Sequence, residues 1–280
     1  MEPRFERLET GFFAPSKNGL TPLRSMRILS WNINRGQQLD AVIEFLRDAK
    51  ADVILLQESD VNARRTYRRN VAREIAQALG MNYIFGCEFE ELTQGNQGSP
   101  ALHGQATLSR WPISASRILR FRRQSGFWRP RWFIPMTQKS QRRLGSRMAL
   151  VSLIAWSERP LIVYNLHLES RGNDELRRSQ LAEVLNDTRQ YDSELPVVIA
   201  GDFNLDLARE PAVPGMLERP FDNPFNKGKI CLATSRSRLG RGRSIDGIFT
   251  RGPLACVGAQ VHDSVVASDH YPISVTFMPS

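Results

Sequence analysis

The stretch VVIAGDFN, residues 197–204, joins a short apolar run to a polar end. Its first half is entirely apolar, which is typical of a strand that is buried on both faces. Asp202 and Asn204 follow, and in an extended backbone their side chains point to the same side. Taken alone, this ending is as typical of an Asx-rich turn as of a functional site. The stretch predicts a buried strand whose end carries a carboxylate and a carboxamide.

Similar polar groups follow or interrupt apolar runs at several other points of the chain. They are Asn32, Gln57, Glu58, Asn165, His167, Asp246, Asp269 and His270. Residues 27–31 and 52–56 read as strands that are joined by a helix, with Leu39, Val42 and Leu46 at helical spacing. Such a crossover places the two strand ends, and with them Asn32 and Glu58, side by side at a crevice. We therefore expect the strand ends to direct their polar groups at one place.

The residue types in this set suit phosphoester chemistry at a cation. Hard divalent cations prefer oxygen ligands, and phosphoester hydrolysis uses a positioned base or imidazole beside the metal. Asp246 precedes His270, and an aspartate that holds one ring nitrogen of a histidine fixes the other for chemistry. His167 alternates with Asn165 in a predicted strand, so both side chains should point the same way. A cross-strand packing pair is the alternative interpretation of these two residues.

The order of elements predicts two packed sheets flanked by helices. We expect a single domain over residues 27–280, because any boundary within it would split the candidate residues between two units. Residues 1–26 form an N-terminal arm that is either poorly ordered or packed at an edge. A segment rich in arginine and aromatic residues is inserted at about 120–147.

Taken in order, the motifs around Asn32, Gln57-Glu58, Asn165 with His167, Gly201 to Asn204, Ile245-Asp246 and Ser268 to His270 resemble those of the endonuclease/exonuclease/phosphatase superfamily. The resemblance covers nearly the whole chain from Arg27 onward. It implies the deoxyribonuclease I-like fold, an α/β four-layer sandwich of two packed mixed β-sheets flanked by helices. It also implies a phosphodiesterase or phosphomonoesterase that depends on Mg²⁺ or Mn²⁺.

The resemblance implies a metal shell. Glu58 would be the principal ligand, with Asn32 and Asp269 nearby. Asp202 and Asn204 would orient the attacking water and the scissile phosphate, or hold a second metal.

The resemblance also implies catalytic roles around the phosphate. His270, oriented by Asp246, would act as general base or stabilise the developing charge, and His167 would contact the phosphate from the other side. The choice of base stays open between Asp202 and His270. Arg147 and Asn165 are further candidates for contact with the substrate phosphate.

Two positions depart from the family pattern. Gln105 stands where asparagine is usual, so the position of that amide is uncertain. Gly247 stands where a bulky residue commonly follows the aspartate, which predicts weaker support for Asp246. Neither change removes a charge or a ligand.

The bulk composition sets the class of partner and the compartment. Lysine and arginine exceed aspartate and glutamate by 9 charges and the isoelectric point is near 10.0, as expected of a protein that approaches polyanions, although basic solubility is an equal explanation. Three widely spaced cysteines, Cys87, Cys231 and Cys256, indicate neither a disulfide framework nor a zinc site. With no signal peptide or membrane span in the sequence, we expect a monomer in the cytoplasm.

The substrate is the least determined feature. In the insertion, arginines alternate with Phe127, Trp128, Trp132 and Phe133, which could stack bases and pair phosphates, lie on an anionic membrane, or pack on the domain. The leading hypothesis is a metal-dependent nuclease. A phospholipid or inositol-phosphate phosphodiesterase or phosphatase is the enzymatic alternative. A basic nucleic-acid- or membrane-binding scaffold is the other, and the intact set of ligands argues against it.

Overall fold

Thirteen strands and four α-helices make up the described part of the chain in the computed structural model, which comprises residues 5–6, 8–15, 25–96, 98–133, 143–156, 159–208, 220–227, 233–236 and 242–279. The strands are β1 (Leu8–Gly11), β2 (Met26–Arg35), β3 (Val53–Val61), β4 (Asn82–Glu91), β5 (Leu102–Ser109), β6 (Ile113–Arg120), β7 (Arg143–Gly145), β8 (Met148–Ile154), β9 (Leu161–His167), β10 (Val197–Asp202), β11 (Asp246–Arg251), β12 (Leu254–Val261) and β13 (Ile273–Pro279). The helices are α1 (Leu39–Ala49), α2 (Val71–Leu79), α3 (Asp174–Asp187) and the short α4 (Pro224–Lys227).

The strands form two mixed sheets. The first has the order β1-β4-β5-β3-β2-β13-β12, with β7 paired to β4, and the second has the order β11-β10-β9-β8-β6. Only β2 with β3 and β9 with β10 are parallel, and the other neighbours are antiparallel. The parallel pairs therefore bring Asn32 beside Gln57 and His167 beside Asp202.

Three apolar clusters define four layers. The middle cluster joins Ile28 and Leu55 of the first sheet to Val163 and Val198 of the second. The outer face of the first sheet packs against α1 and α2, and the outer face of the second packs against α3. Alternation along each strand produces this division, because successive side chains face opposite sides of a sheet. The predicted four-layer α/β sandwich is confirmed.

Local signals set the helix bounds. Helix α2 begins at Val71, because Asn70 caps it by accepting from Arg73 N at 3.1 Å and Tyr67 has a left-handed φ of 54°. The helix ends before Gly80, whose φ of 60° suits glycine. Helix α3 ends at Asp187 and continues as a 3₁₀ turn.

Part of the N-terminal arm belongs to the first sheet. Strand β1 pairs antiparallel with β4, from Leu8 opposite Gly86 to Gly11 opposite Tyr83. Glu9 accepts from the Tyr83 hydroxyl at 2.5 Å and from Asn70 Nδ2 at 2.7 Å. Of the two alternatives for the arm, edge packing is the one observed for residues 8–11, so the sheet extends beyond the boundary drawn at residue 27. Residues 1–4, 7 and 16–24 lie outside the described part.

The insertion predicted at about 120–147 has a packed base and an exposed tip. Phe121 is buried, and Gln124 Nε2 donates to the carbonyls of Phe121 and Arg147 at 2.8 and 3.0 Å. Trp128 Nε1 donates to Glu169 at 2.8 Å, and its ring lies under the Arg143 guanidinium at 4.7 Å. Trp132 is 93% exposed. The packing alternative therefore holds for Trp128, while residues 134–142 lie outside the described part.

No helix in the described ranges is long and apolar enough to cross a membrane.

Candidate active site

A row of three polar side chains crosses the second sheet at the end of β10. Asp202 is opposite His167 on the parallel strand β9 and opposite Asp246 on the antiparallel strand β11. Because residues opposite one another share a face, all three side chains point between the two sheets. All three are buried. The buried strand predicted within residues 197–204 thus ends in the centre of the site.

One oxygen atom, Asp202 Oδ2, is the point on which the site converges. Asn32 Nδ2 from the first sheet donates to it at 3.1 Å. Nε2 of His167 lies 3.5 Å from it, and Nε2 of His270 lies 3.8 Å from it. The other oxygen, Oδ1, accepts from Asn204 N at 2.8 Å. Residues separated by up to 238 positions, from Asn32 to His270, are thus brought together at one carboxylate.

Contacts to the ring and to the backbone hold His270 in place. Its Nδ1 lies 3.0 Å from Asp246 Oδ2, which leaves Nε2 directed at Asp202. Its carbonyl accepts from Trp31 Nε1 at 2.9 Å. Ser268 Oγ donates to the Asn32 carbonyl at 2.7 Å, so the Ser268 to His270 turn is locked to β2. The Asp246–His270 pair predicted from the sequence is present.

Thr234 supports Asp246, and the sequence analysis did not identify it. Its hydroxyl donates to Asp246 Oδ2 at 2.7 Å and accepts from the backbone N–H of Asp246 at 2.9 Å. Gly247 does not loosen this arrangement, because a Cβ there would lie 2.7 Å from the Phe249 ring and 2.9 Å from Leu207. The neighbouring side chains already fill the space that a bulky residue would take.

Glu58 lies beside this group on a distorted part of β3. The pairing of β3 with β5 shifts between Leu56 and Ser59, and Glu58 has a φ of 56°. Its carboxylate is 3.5 Å from Asn32 Nδ2 and 4.0 Å from Arg35 Nε. Asn32 therefore bridges Glu58 and Asp202. Non-glycine residues adopt a left-handed φ at a cost, and such strain is common at functional sites.

His167 is supported by a buried ion pair. Arg147 Nη1 lies 2.8 Å from His167 Nδ1 and donates to Glu88 Oε2 at 2.8 Å. Gln105 Nε2 donates to the other Glu88 oxygen at 2.7 Å, which fixes the amide whose position the sequence left uncertain. Because an arginine only donates, His167 Nδ1 must accept, and the ring proton is on Nε2. The ring thus presents an N–H toward Asp202.

Two residues predicted to contact the substrate phosphate are buried. Arg147 is 2% exposed, and its guanidinium contacts Glu88, His167 and Ser170. Asn165 is fully buried, donates to the carbonyls of Leu56 and Ala106, and accepts from Gln57. It joins the two sheets and has no free group for a phosphate.

Two predicted metal ligands have weaker support. Asp269 is exposed; its Oδ1 lies 3.3 Å from Ser268 Oγ, and its carbonyl accepts from Arg236 N at 2.8 Å. Asn204 lies next to Asp202, with a φ of 52° and its Nδ2 donating to the Leu168 carbonyl at 3.1 Å. The amide oxygen of Asn204 is the part that could reach an ion or a phosphate.

Burial and neighbouring charges shift the pKa values of four ionisable groups in different directions. Burial would lower the pKa of His270, but Asp246 and Asp202 raise it to about 10. Burial raises the pKa of Asp202 to about 7, against the opposing effect of His270. Burial and the Arg147 charge lower the pKa of His167 well below its usual value. Burial alone would raise the pKa of Glu58, but His103 and Arg35 are among the groups that hold it well below its usual range.

The cluster can accept a cation. Asp202, Asp246 and His270 each offer a ligand atom, and these atoms lie within 4.8 Å of one another. Glu58 adds a further carboxylate, and Asn32 Nδ2 lies between it and Asp202, while the Asn32 amide oxygen accepts from Asn34 N at 3.1 Å. The site thus combines the ionised carboxylate of Glu58 with the Asp202 carboxyl group, whose pKa is raised. It also holds one protonated imidazole, His270, and one neutral imidazole, His167.

Comparison with known proteins places the chain in a family. The model of the endonuclease/exonuclease/phosphatase family matches residues 29–270. The chain belongs to the endonuclease/exonuclease/phosphatase family. Membership makes it a hydrolase of the phosphoester class, and the resemblance seen in the sequence is confirmed. A search of the curated proteins found no match.

Solved structures show the same endonuclease/exonuclease/phosphatase fold. A family protein from Bacteroides thetaiotaomicron has a TM-score of 0.66 and 15% identity, and the match covers 93% of this chain and 100% of that one. TDP2 from C. elegans has a TM-score of 0.63 and 18% identity, covering 92% and 77%. Humanized D. rerio TDP2 has a TM-score of 0.60 and 21% identity, covering 90% and 98%. At these identities the likeness establishes the fold.

Proposed function

We propose that this family member is a phosphodiesterase that acts on nucleic acid and depends on Mg²⁺ or Mn²⁺. The observation that carries the proposal is the convergence of Asn32, His167 and His270 on Asp202 Oδ2. Phosphoester hydrolysis needs a group that takes a proton from water and groups that stabilise charge on the phosphate oxygens. This one cluster supplies both.

The donor set fits a hard divalent ion. Mg²⁺ is commonly bound by one or two carboxylates and keeps several waters. Glu58 stays ionised, so it would be the principal ligand of the ion, with Asp202, Asp269 and Asn204 within reach of its waters. Asn32 would join Glu58 by turning its amide oxygen, which accepts from Asn34 N in this structure, toward the ion. Asp246 is less suited, because its oxygens already contact His270 and Thr234. When bound, the ion would supply Lewis-acid polarisation of the phosphate and a more acidic water.

The protonation states support one assignment of the roles that the sequence left open. The raised pKa of His270 keeps it protonated near neutral pH, so it stabilises negative charge on the phosphate and does not act as the base. Asp202, with its pKa raised to about 7, is the better proton acceptor, because a base works best with a pKa near the working pH. Neutral His167 donates from Nε2 to a phosphate oxygen.

The choice of nucleic acid rests on charge and on exposed aromatic residues. The chain has a net charge of +9. Arg129, Arg131, Trp132 and Phe133 are exposed at the tip of the insertion, where rings could stack on bases and guanidinium groups could pair with phosphates.

A parallel release assay tests the proposed function. Plasmid DNA, single-stranded RNA, sphingomyelin and an inositol phosphate are each incubated with Mg²⁺, with Mn²⁺ and with a chelator. We expect hydrolysis of nucleic acid with metal and none with chelator. Hydrolysis of only the lipid or only the inositol phosphate would reassign the substrate, and hydrolysis of none would favour the binding scaffold.

Replacement of Thr234 provides a test of how Asp246 is held. We expect Thr234→Val to lower kcat for the best substrate by about 10-fold, because a hydrogen bond to a charged group is worth about 1.5–3 kcal/mol. Thr234→Ser keeps the hydroxyl and should retain activity close to wild type. Equal kcat values for the Val variant and wild type would show that Thr234 does not support the Asp246–His270 pair.

A further inference from the structure

The loop that follows the Glu58 strand has the sequence RRTYRR over residues 64–69 and is firmly anchored. Arg65 donates to Asp60 at 2.6 Å and to Glu91 at 2.9 Å in the interior. The ends of the loop are closed by a bridge between Val61 and Asn70. These ion pairs neutralise the charge of Arg65, whereas Arg64, Tyr67 and Arg68 are exposed to solvent.

Tyr67 is presented to solvent in a strained conformation. Its side chain is 86% exposed, and both it and Arg68 have left-handed φ values, 54° and 59°. A bulky residue with positive φ is an outlier that persists only where the surroundings impose it. Burial of the Tyr67 ring cannot offset the strain, because the ring is almost fully exposed. Contact of the ring with a ligand would give the strained conformation a function.

A small cavity adjoins Tyr67. Its volume is about 160 Å³, and it lies between Tyr67 and residues 36–41, which comprise the turn after β2 and the first residues of α1. The residue before this turn, Arg35, is the one whose Nε lies 4.0 Å from Glu58. The cavity is smaller than the roughly 300–1,000 Å³ of a pocket for a drug-sized ligand, so it would hold no more than one ring.

An exposed ring beside exposed guanidinium groups matches one class of ligand. Single-stranded nucleic acid binds by stacking bases on aromatic side chains while basic groups follow its backbone. In a duplex, neighbouring pairs cover the faces of each base, and a single tyrosine cannot stack without displacing one. A membrane surface would require several apolar side chains, and Tyr67 is the only exposed aromatic among residues 62–70. Arg68 is also held in place, because it donates to Asn96 at 2.8 Å.

We propose that Tyr67, with Arg64, Arg68 and the adjoining cavity, forms a subsite for an unpaired nucleotide next to the scissile phosphodiester. The substrate is then single-stranded nucleic acid or an unpaired end, and the ring of Tyr67 selects it over duplex. This inference rests on the proposed function, because it places the subsite beside the Glu58 and Asp202 cluster.

Fluorescence anisotropy in the presence of EDTA tests the subsite without turnover. The probes are a fluorescein-labelled oligothymidylate and a blunt hairpin duplex with the same number of phosphates. We expect wild type to bind the single strand more tightly than the duplex. Tyr67→Ala should weaken single-strand binding roughly 5-fold or more, and Tyr67→Phe should stay within about twofold of wild type. Tyr67→Gly, which also relieves the strained φ, should lose the same affinity as Tyr67→Ala.

A charge-matched pair controls for general electrostatics. Arg68→Ala should reduce the salt dependence of single-strand binding by about 0.7 in the log–log slope. Arg47→Ala removes an exposed charge from the last turn of α1, away from the cavity, and should leave the slope unchanged.

Several outcomes would overturn the subsite. They are absence of single-strand binding by wild type, equal single-strand binding by Tyr67→Ala and wild type, and an equal loss of single-strand and duplex binding in Tyr67→Ala. Failure of the proposed function has a different signature. Wild type would then hydrolyse no nucleic acid with metal, while the dependence of binding on the Tyr67 ring would still be present.

Discussion

An Asp202→Asn variant is expected to lose roughly 10³-fold or more of the kcat for metal-dependent phosphodiester hydrolysis. The substitution keeps the oxygen that accepts from Asn204 N and removes the proton acceptor at the convergence point of Asn32, His167 and His270. The measurement is kcat in saturating Mg²⁺ with the best substrate of the release assay. A kcat within tenfold of wild type would remove Asp202 from the mechanism.

The same variant should not lose stability, and pH separates this effect from a general folding defect. Burial raises the pKa of Asp202 from 3.8 to about 7 in the folded protein. A carboxyl group with a raised folded-state pKa binds its proton more tightly in the folded state, so it lowers stability as pH rises between these two values. Asparagine has no charge to desolvate. At about pH 8 the variant should therefore unfold at the same temperature as wild type or a higher one, measured by circular dichroism.

An Arg147→Met variant is expected to lose about 3–5 kcal/mol of unfolding free energy and most of its turnover. The substitution leaves Glu88 buried without its cation, and it removes the donor to His167 Nδ1. His167 would then be free to move its ring proton to the wrong nitrogen. Urea unfolding gives the stability change, and kcat and KM on the same preparation give the catalytic change.

The double variant Glu88→Gln with Arg147→Met separates the two effects. It has no buried unpaired charge, so we expect most of the lost stability to return. The donor to His167 is still missing, so kcat should stay low. If kcat returned together with stability, Arg147 would be a purely structural residue. If Arg147 contacted substrate directly, its loss would instead raise KM and leave stability unchanged.

The sequence predicts well which residues belong to the site, because their positions follow from local strand patterns. Asn32, Asp202 and His167 each stand at the end of an apolar strand, and strand ends of parallel pairs meet at one edge. The Asp246–His270 pair is predicted on a different ground, the chemistry of an aspartate that orients an imidazole. Family membership and the four-layer sandwich followed from the order of these motifs.

The sequence does not show how deep between the two sheets a given side chain lies. Asn165 and His167 share a face of β9, as alternation predicts, yet a spacing of two residues places Asn165 roughly 6–7 Å deeper along the strand. At that depth the second sheet meets Leu56 and Ala106 of the first, and the amide joins the two sheets. Alternation shows which face a side chain occupies, and only the packing of one sheet on the other decides whether that point is open or closed.

Supporting residues were missed for a related reason. Thr234 has no strand pattern around it in the sequence, so only its contact with Asp246 reveals its role. Glu88 had a signal, since it alternates with the apolar residues Cys87 and Phe89 in β4. Extension of that strand through Glu88 would place an acidic residue on its inner face, which indicates a buried partner such as Arg147.

The way in which the outer edge of β4 is covered affects the tendency of the protein to associate with other copies of itself. Strand β1 covers residues 83–86 of this edge, and β7 covers residues 89–91. An uncovered strand edge is a template onto which another chain can add by backbone pairing, the first step toward aggregation. Two short segments from distant parts of the chain divide this protection between them, so detachment of either one would reopen part of that border to a second molecule.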